Sequence, residues 1–133
     1  MPVMTPLQIV AFWSALCAIV TLALAVNCAM TRGKTKVLLG DGGNEVMLRA
    51  MRAHSNNVEY TPLVLVMLVT LGLMQTSVLI LHIVGGCLFA GRAAHGLGLA
   101  NNGGFSVGRG LGTLLTMIAA VTAIVVLLLK ALG

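Results

Sequence analysis

Residues 7–30 read LQIVAFWSALCAIVTLALAVNCAM, an apolar run without one charged side chain. A hydrocarbon layer ~30 Å thick is crossed by about 20 helical residues, at ~1.5 Å of rise each. The run is therefore long enough to span a bilayer as a single helix. It lacks the basic start of a secretory signal, since no Lys or Arg precedes Arg32. It also exceeds the roughly 7–15 apolar residues of a signal core. A retained helix is expected.

Working outward, three further runs of this kind account for nearly all of the rest. Of 133 residues, 59% are hydrophobic and only 8% charged, against about a quarter charged in soluble domains. Helix one is expected from about Thr5 to Met30, with Pro6 tolerated in its first turn. A polar loop, TRGKTKVLLGDGGNE, follows and is broken by Gly40-Asp41-Gly42-Gly43. Helix two is expected from about Asn44 to Met74, polar at first and then apolar, with Pro62 between the halves as a kink. Gln75-Thr76-Ser77 turns into helix three, about Ser77–Leu99, whose Gly85, Gly86, Ala90 and Gly91 allow close helix approach. After a third loop, ANNGGFSVG, helix four is expected from about Arg109 to Leu132. The fold class is an all-α membrane protein, a single four-transmembrane-helix domain over residues 1–133. No stretch remains for a soluble catalytic or nucleic-acid-binding domain.

The net charge of +5 resides at helix ends and in short loops, where headgroup contacts and orientation signals belong, so nucleic acid is not an expected partner. Arg32, Lys34, Lys36, Arg49, Arg52, Arg92 and Arg109 flank loops one and three, whereas only Lys130 lies at the other side. The positive-inside rule then puts both loops in the cytoplasm and both termini outside. Cys17, Cys28 and Cys87 have no CxxC spacing and read as small packing residues. No His, Cys or carboxylate group has metal-site spacing, and no metal is expected. His54 lies off the polar stripe of helix two and suits a loop or headgroup contact. His82, alone on an apolar helix, suits packing.

Glu45, Arg49, Arg52, Asn56 and Glu59 follow i, i+4, i+7, i+11, i+14, which is one helical face. An ionisable residue at mid-bilayer costs roughly 2.5–3.5 kcal/mol on insertion scales, so this stripe should face a bundle interior, a neighbouring subunit or a wet cavity. Local pairing, Glu45 with Arg49 and Arg52 with Asn56, is one account of it. An anion-recognising cavity is the other. The cavity is favoured because Arg92 and His95 on helix three and Arg109 on helix four fall at the same leaflet, with only two Glu to neutralise the cations. Arg forks grip carboxylates, a carboxylate such as Glu59 can accept from an ammonium, and a nearby Arg favours a thiolate. Glutathione carries all three groups. Thr113 and Thr116 lie one turn apart on the face of Arg109, where their hydroxyls either satisfy backbone carbonyls or line the site.

Arg49-x-x-Arg52-Ala53-His54-x-Asn56-x-x-Glu59-x-x-Pro62 resembles the RAxxNxxE signature of the MAPEG family, the membrane-associated proteins in eicosanoid and glutathione metabolism. Gly91-Arg92-x-x-His95 resembles that family's helix-three element and Arg109-x-x-Gly112 its helix-four opening. The Gly40–Gly43 loop resembles that of small bacterial members. The resemblance covers essentially the whole chain. It implies a homotrimer of four-helix bundles with glutathione, as co-substrate, between adjacent subunits near the cytoplasmic face. Arg52, Asn56 and Glu59 would hold the tripeptide, with Arg49, Arg92, His95, Arg32 and Thr113 around it, and Arg109 would stabilise the thiolate. The implied activity is a glutathione transferase or peroxidase acting on lipophilic electrophiles or hydroperoxides. Ser55 stands where eicosanoid enzymes have Arg, Leu99 and Thr113 where they have Tyr, and Gly110 where some have Ser, so a specific eicosanoid synthase is not expected. A small transporter or a non-catalytic scaffold or lipid-binding protein is the alternative, although helix one lacks the mid-span carboxylate usual in such transporters.

Overall fold

The computed structural model of the chain describes residues 4–101, 104 and 106–133. Of the expected third loop, residues 102, 103 and 105 lie outside the described residues. Four helices follow one another: α1 (Pro6–Thr35), α2 (Glu45–Leu73), α3 (Val78–Asn101) and α4 (Val107–Leu132). All four are long and apolar enough to cross a membrane, and together they form an all-α four-span bundle.

Local chemistry sets the ends. Thr5 caps α1 reciprocally: its hydroxyl accepts from the Gln8 N–H at 3.3 Å, while its own N–H donates to Gln8 Oε1 at 2.8 Å. α1 runs five residues past the expected Met30. Arg32 and Lys34 in its last turn complement the negative helix end, and Lys36 closes it in the left-handed conformation, φ 56°. Asn44 opens α2 by accepting from the N–H groups of Val46 and Met47, both at 3.0 Å. Between them, Gly42 has φ 59°, and an added Cβ there would meet Val37 Cγ2 at 3.0 Å. A side chain is excluded at that turn twice over. Ser106 caps α4, accepting from the Arg109 N–H at 3.3 Å. α2 continues through Pro62 to Leu73 as one helix.

Lipid tails are as apolar as leucine, so membrane helices associate by close packing and hydrogen bonds rather than by hydrophobic expulsion from water. Two small-residue contacts do this here. Gly85 and Gly86 of α3 seat the ring of Trp13 from α1; a Cβ on Gly85 would overlap it. The Trp13 indole N–H in turn donates to His82 Nδ1 at 3.1 Å. On the other side of α3, Gly91 and Gly98 lie against Gly112, Thr116, Ser106 and the backbone of Gly108 and Arg109. This α3–α4 seam is backbone on backbone.

The core differs from end to end. Toward the α2–α3 turn it is mainly apolar, built from Ile9, Val10, Cys17, Val64, Leu68, Leu71, Leu81, Val84, Leu88, Ala119 and Ala123, with Thr76 buried at the turn. Toward loops one and three the apolar cluster shrinks to Leu24, Ala53 and Leu99. The space beside it is filled by Asn57, Thr61, Arg92, His95 and Thr116, all buried. Buried charge is thus found at this end of the bundle, among the described residues.

Candidate functional site

The buried face of α2 runs Met47, Ala50, Ala53, Asn57, Thr61, Val64, one position along from the charged stripe. The stripe therefore sits on the flank of α2 rather than at the bundle centre: Arg49 and Asn56 are half-buried, and Glu45, Arg52 and Glu59 exposed. That flank, with α3 and α4, encloses a cavity of about 250 Å³ lined by Leu48, Arg49, Arg52, Asn56, His95, Leu99 and Arg109. A smaller one of about 50 Å³ adjoins it, lined by Asn56, Tyr60, Arg92, His95, Thr113, Thr116 and Met117. Asn56 and His95 belong to both. Among the described residues, neither lining contains a carboxylate.

The seam sets the register of these groups. Gly108 and Gly112 let α4 touch α3, so Arg109 and His95 face one cavity from two helices. Arg109 is half-buried and donates through Nη1 to the Gly104 carbonyl at 2.7 Å. Arg92 is only 2% exposed. Its Nη2 donates to Asn56 Oδ1 at 2.7 Å and lies 3.4 Å from His95 Nδ1. Its Nε donates to Asn57 Oδ1 at 3.4 Å. Its guanidinium also stacks over the Tyr60 ring, 5.7 Å from the centroid. Arg49 Nε is buried with no hydrogen-bond partner. An unmet charged donor in a basic hollow is the arrangement an entering anion completes.

Seven of the nine residues singled out in the sequence line these two cavities: Arg49, Arg52, Asn56, Arg92, His95, Arg109 and Thr113. Arg32 and Glu59 do not. Arg32 binds its own loop, donating through Nη1 to the carbonyls of Val37 at 3.0 Å and Gly40 at 3.1 Å. Glu59 is exposed on α2 and lines neither cavity, though it acts through space on Arg92. Thr113 and Thr116 donate to the carbonyls of Arg109 and Gly112, at 2.9 and 2.8 Å, and line the smaller cavity as well. Both roles hold. His54 is half-buried on α2, its Nδ1 without a partner.

Three participants escaped the sequence reading. Asn57 is fully buried, Thr61 nearly so, and Tyr60 lines the smaller cavity. The signal was a polar i, i+4 pair, Asn57–Thr61, opposite a mid-span Thr21. A further cavity, about 350 Å³, lies between α1 and α2 and is lined by Ala18, Thr21, Leu22, Ala25, Val58, Thr61, Pro62 and Leu65. None of these lining side chains is charged. Among the described residues, no three His, Cys, Asp or Glu side chains gather as a metal site.

The fold and the hollow define a polytopic, four-span membrane protein with a basic cavity toward one end of its bundle. Residues 10–129 match the MAPEG family, and the chain belongs to that family. It is 31% identical over 85 residues to the inner membrane protein YecN of Escherichia coli strain K12, covering 64% of this chain and 65% of YecN. The same figures hold for YecN of Escherichia coli O6:H1. The chain thus spans just under two thirds of the length of these relatives. No solved structure matches it significantly.

Proposed function

We propose that the basic hollow binds glutathione and that the protein is a glutathione-dependent transferase or peroxidase acting on lipophilic electrophiles or hydroperoxides. The observation that carries this reading is the convergence of Arg49, Arg52, His95 and Arg109 from three helices on one cavity, with Arg92 behind it. Clustered cations repel one another, and a ligand with two carboxylates relieves that repulsion while forming forked hydrogen bonds. Arg52 and Arg49 would hold carboxylates, Asn56 the peptide groups and Glu59 the ammonium, with Arg92, His95 and Thr113 behind them and Arg32 at the rim. Arg109 would stabilise the thiolate, since the thiolate rather than the thiol is the nucleophile. In a transfer, the new S–C bond forms as the leaving group departs with its electron pair. In peroxide reduction, sulfur attacks the O–O bond, alkoxide leaves and takes a proton, and a second glutathione converts the sulfenic acid to disulfide and water.

At about 250 Å³ the cavity is smaller than the roughly 300–1,000 Å³ usual for small-molecule sites. Glu59 is exposed and outside the cavity lining. Both fit a site closed by an adjacent subunit, and we assign the functional unit as a homotrimer with the ligand between protomers. The surplus of Lys and Arg at loops one and three orients them to the cytoplasm, with both termini outside. The likeness to an inner membrane protein suggests the same membrane in a bacterial cell.

Glutathione should raise the melting temperature of the detergent-purified protein, the stabilisation following RT ln(1 + [L]/Kd), about 2.7 kcal/mol at 100 times Kd. Arg109→Leu should retain binding yet lose the ultraviolet absorbance of bound thiolate. No stabilisation at millimolar glutathione refutes the reading.

A further inference from the structure

We infer that Asn57, which lines neither cavity, is the positioning and specificity-determining residue of the site: it holds Arg92 by an uncharged acceptor in place of a hydrogen-bonded carboxylate, so that the site selects anionic over neutral ligands. The inference rests on the glutathione reading above and adds to it the reason a buried cation stays available to a ligand.

A cation taken out of water is costly unless paired, and the common remedy is a carboxylate. Among the described residues, no carboxylate is hydrogen-bonded to Arg92; Glu59, exposed on the flank of α2, acts on it only through space. Its hydrogen-bond partners are two carboxamide oxygens, those of Asn56 and Asn57, and its further neighbours are the His95 ring and the face of Tyr60. These supply lone pairs and π-density without a formal negative charge. The guanidinium is therefore hydrogen-bonded and held in place while its charge still acts on the hollow.

The orientation of the Asn57 amide is dictated by its neighbours rather than by itself. The Thr21 hydroxyl donates to the Cys17 carbonyl at 3.0 Å, which leaves its oxygen free to accept. Only the Nδ2 end of Asn57 can satisfy it, and it does so at 2.7 Å. The Oδ1 end is consequently turned toward Arg92, and the Thr61 hydroxyl donates to the same oxygen at 3.1 Å. Three helices, α1, α2 and α3, thereby fix one amide, and that amide fixes Arg92. An isosteric Asp would be a stronger partner for Arg92. It would also neutralise the charge and present an acceptor to Thr21, whose proton is already committed.

The test compares wild type, Asn57→Asp and Thr21→Val as detergent-purified full chains, by thermal shift with glutathione and with its dimethyl ester, whose carboxylates are blocked. Wild type should bind glutathione better than the ester. Asn57→Asp should melt, unliganded, no lower than wild type, while its Kd for glutathione rises at least about tenfold and its Kd for the ester is unchanged. A purely structural role for Asn57 would instead lower the unliganded melting temperature and weaken both ligands alike, and would overturn the inference. Thr21→Val, which frees the amide to rotate, should weaken glutathione more than the ester, and it decides the matter if Asn57→Asp does not fold. If wild type binds glutathione and neither variant changes the preference for it over the ester, the inference fails and the glutathione reading stands. If wild type is stabilised by neither compound, both fall.

Discussion

Replacing Gly112 by Ala adds one methyl group where, among the described glycines, backbone of a neighbouring helix comes closest. The new Cβ would sit 2.6 Å from the Gly91 carbonyl oxygen, 2.6 Å from the His95 amide nitrogen and 2.7 Å from His95 Cβ. None of these is the free end of a flexible side chain, so α4 itself must retreat. Reaching ordinary van der Waals contact takes a displacement of about 0.8 Å. Overpacking of this kind costs typically 1–3 kcal/mol, and the upper half of that range applies because backbone meets backbone. A loss of about 2–3 kcal/mol is roughly a 30- to 150-fold change in the unfolding equilibrium. Arg109 lies one turn from Gly112 and rides with α4, so the proposed glutathione-dependent turnover should fall by about a hundredfold for a shift near 1 Å. The measurement is equilibrium unfolding in mixed micelles alongside single-turnover kinetics. Gly33→Ala is the control: nothing lies within 4 Å of its added Cβ, and it should be neutral or stabilising by up to about 1 kcal/mol. If Gly112→Ala unfolds like wild type, the seam is not what sets the register of the site.

Trp13→Phe should leave His82 Nδ1 without its donor and destabilise the bundle by about 1–3 kcal/mol, read from the same unfolding curves, with ligand affinity unchanged because the pair lies away from the cavity. Asn44→Ala removes the acceptor for two N–H groups at the start of α2 and should cost about 0.5–2 kcal/mol, with Asn44→Asp restoring it. Arg92→Met exchanges a buried cation for an apolar chain of similar length. It should hold or raise the unliganded melting temperature while abolishing the shift given by glutathione.

Four spans were legible because length and apolarity alone decide whether a helix can cross lipid. The ends were less so: the basic residues that appeared to begin a loop after Met30 instead stabilise a further turn and a half of α1. The hidden part of the site follows from the solvent. In water, an apolar face marks the inside of a helix, but in lipid both inside and outside are apolar, so α2 gave no contrast by which to find its inward direction. The charged stripe marked what must avoid lipid, and Asn57, one position beside it, was passed over. Small residues on α3 were visible as contact points without their partners. Gly85 and Gly86 receive Trp13 of α1, Gly91 receives α4, and Ala90 is exposed.

Where two helices touch mainly through backbone, with only the short Thr116 and Ser106 hydroxyls between them, little can rotate aside and make room. α3 and α4 must therefore behave as one rigid plate bearing Arg92, His95 and Arg109. Any widening of the hollow to admit a larger guest then falls to α2, which carries Arg49, Arg52 and Asn56. Entry and release should accordingly track the mobility of the grip and leave the reacting edge still.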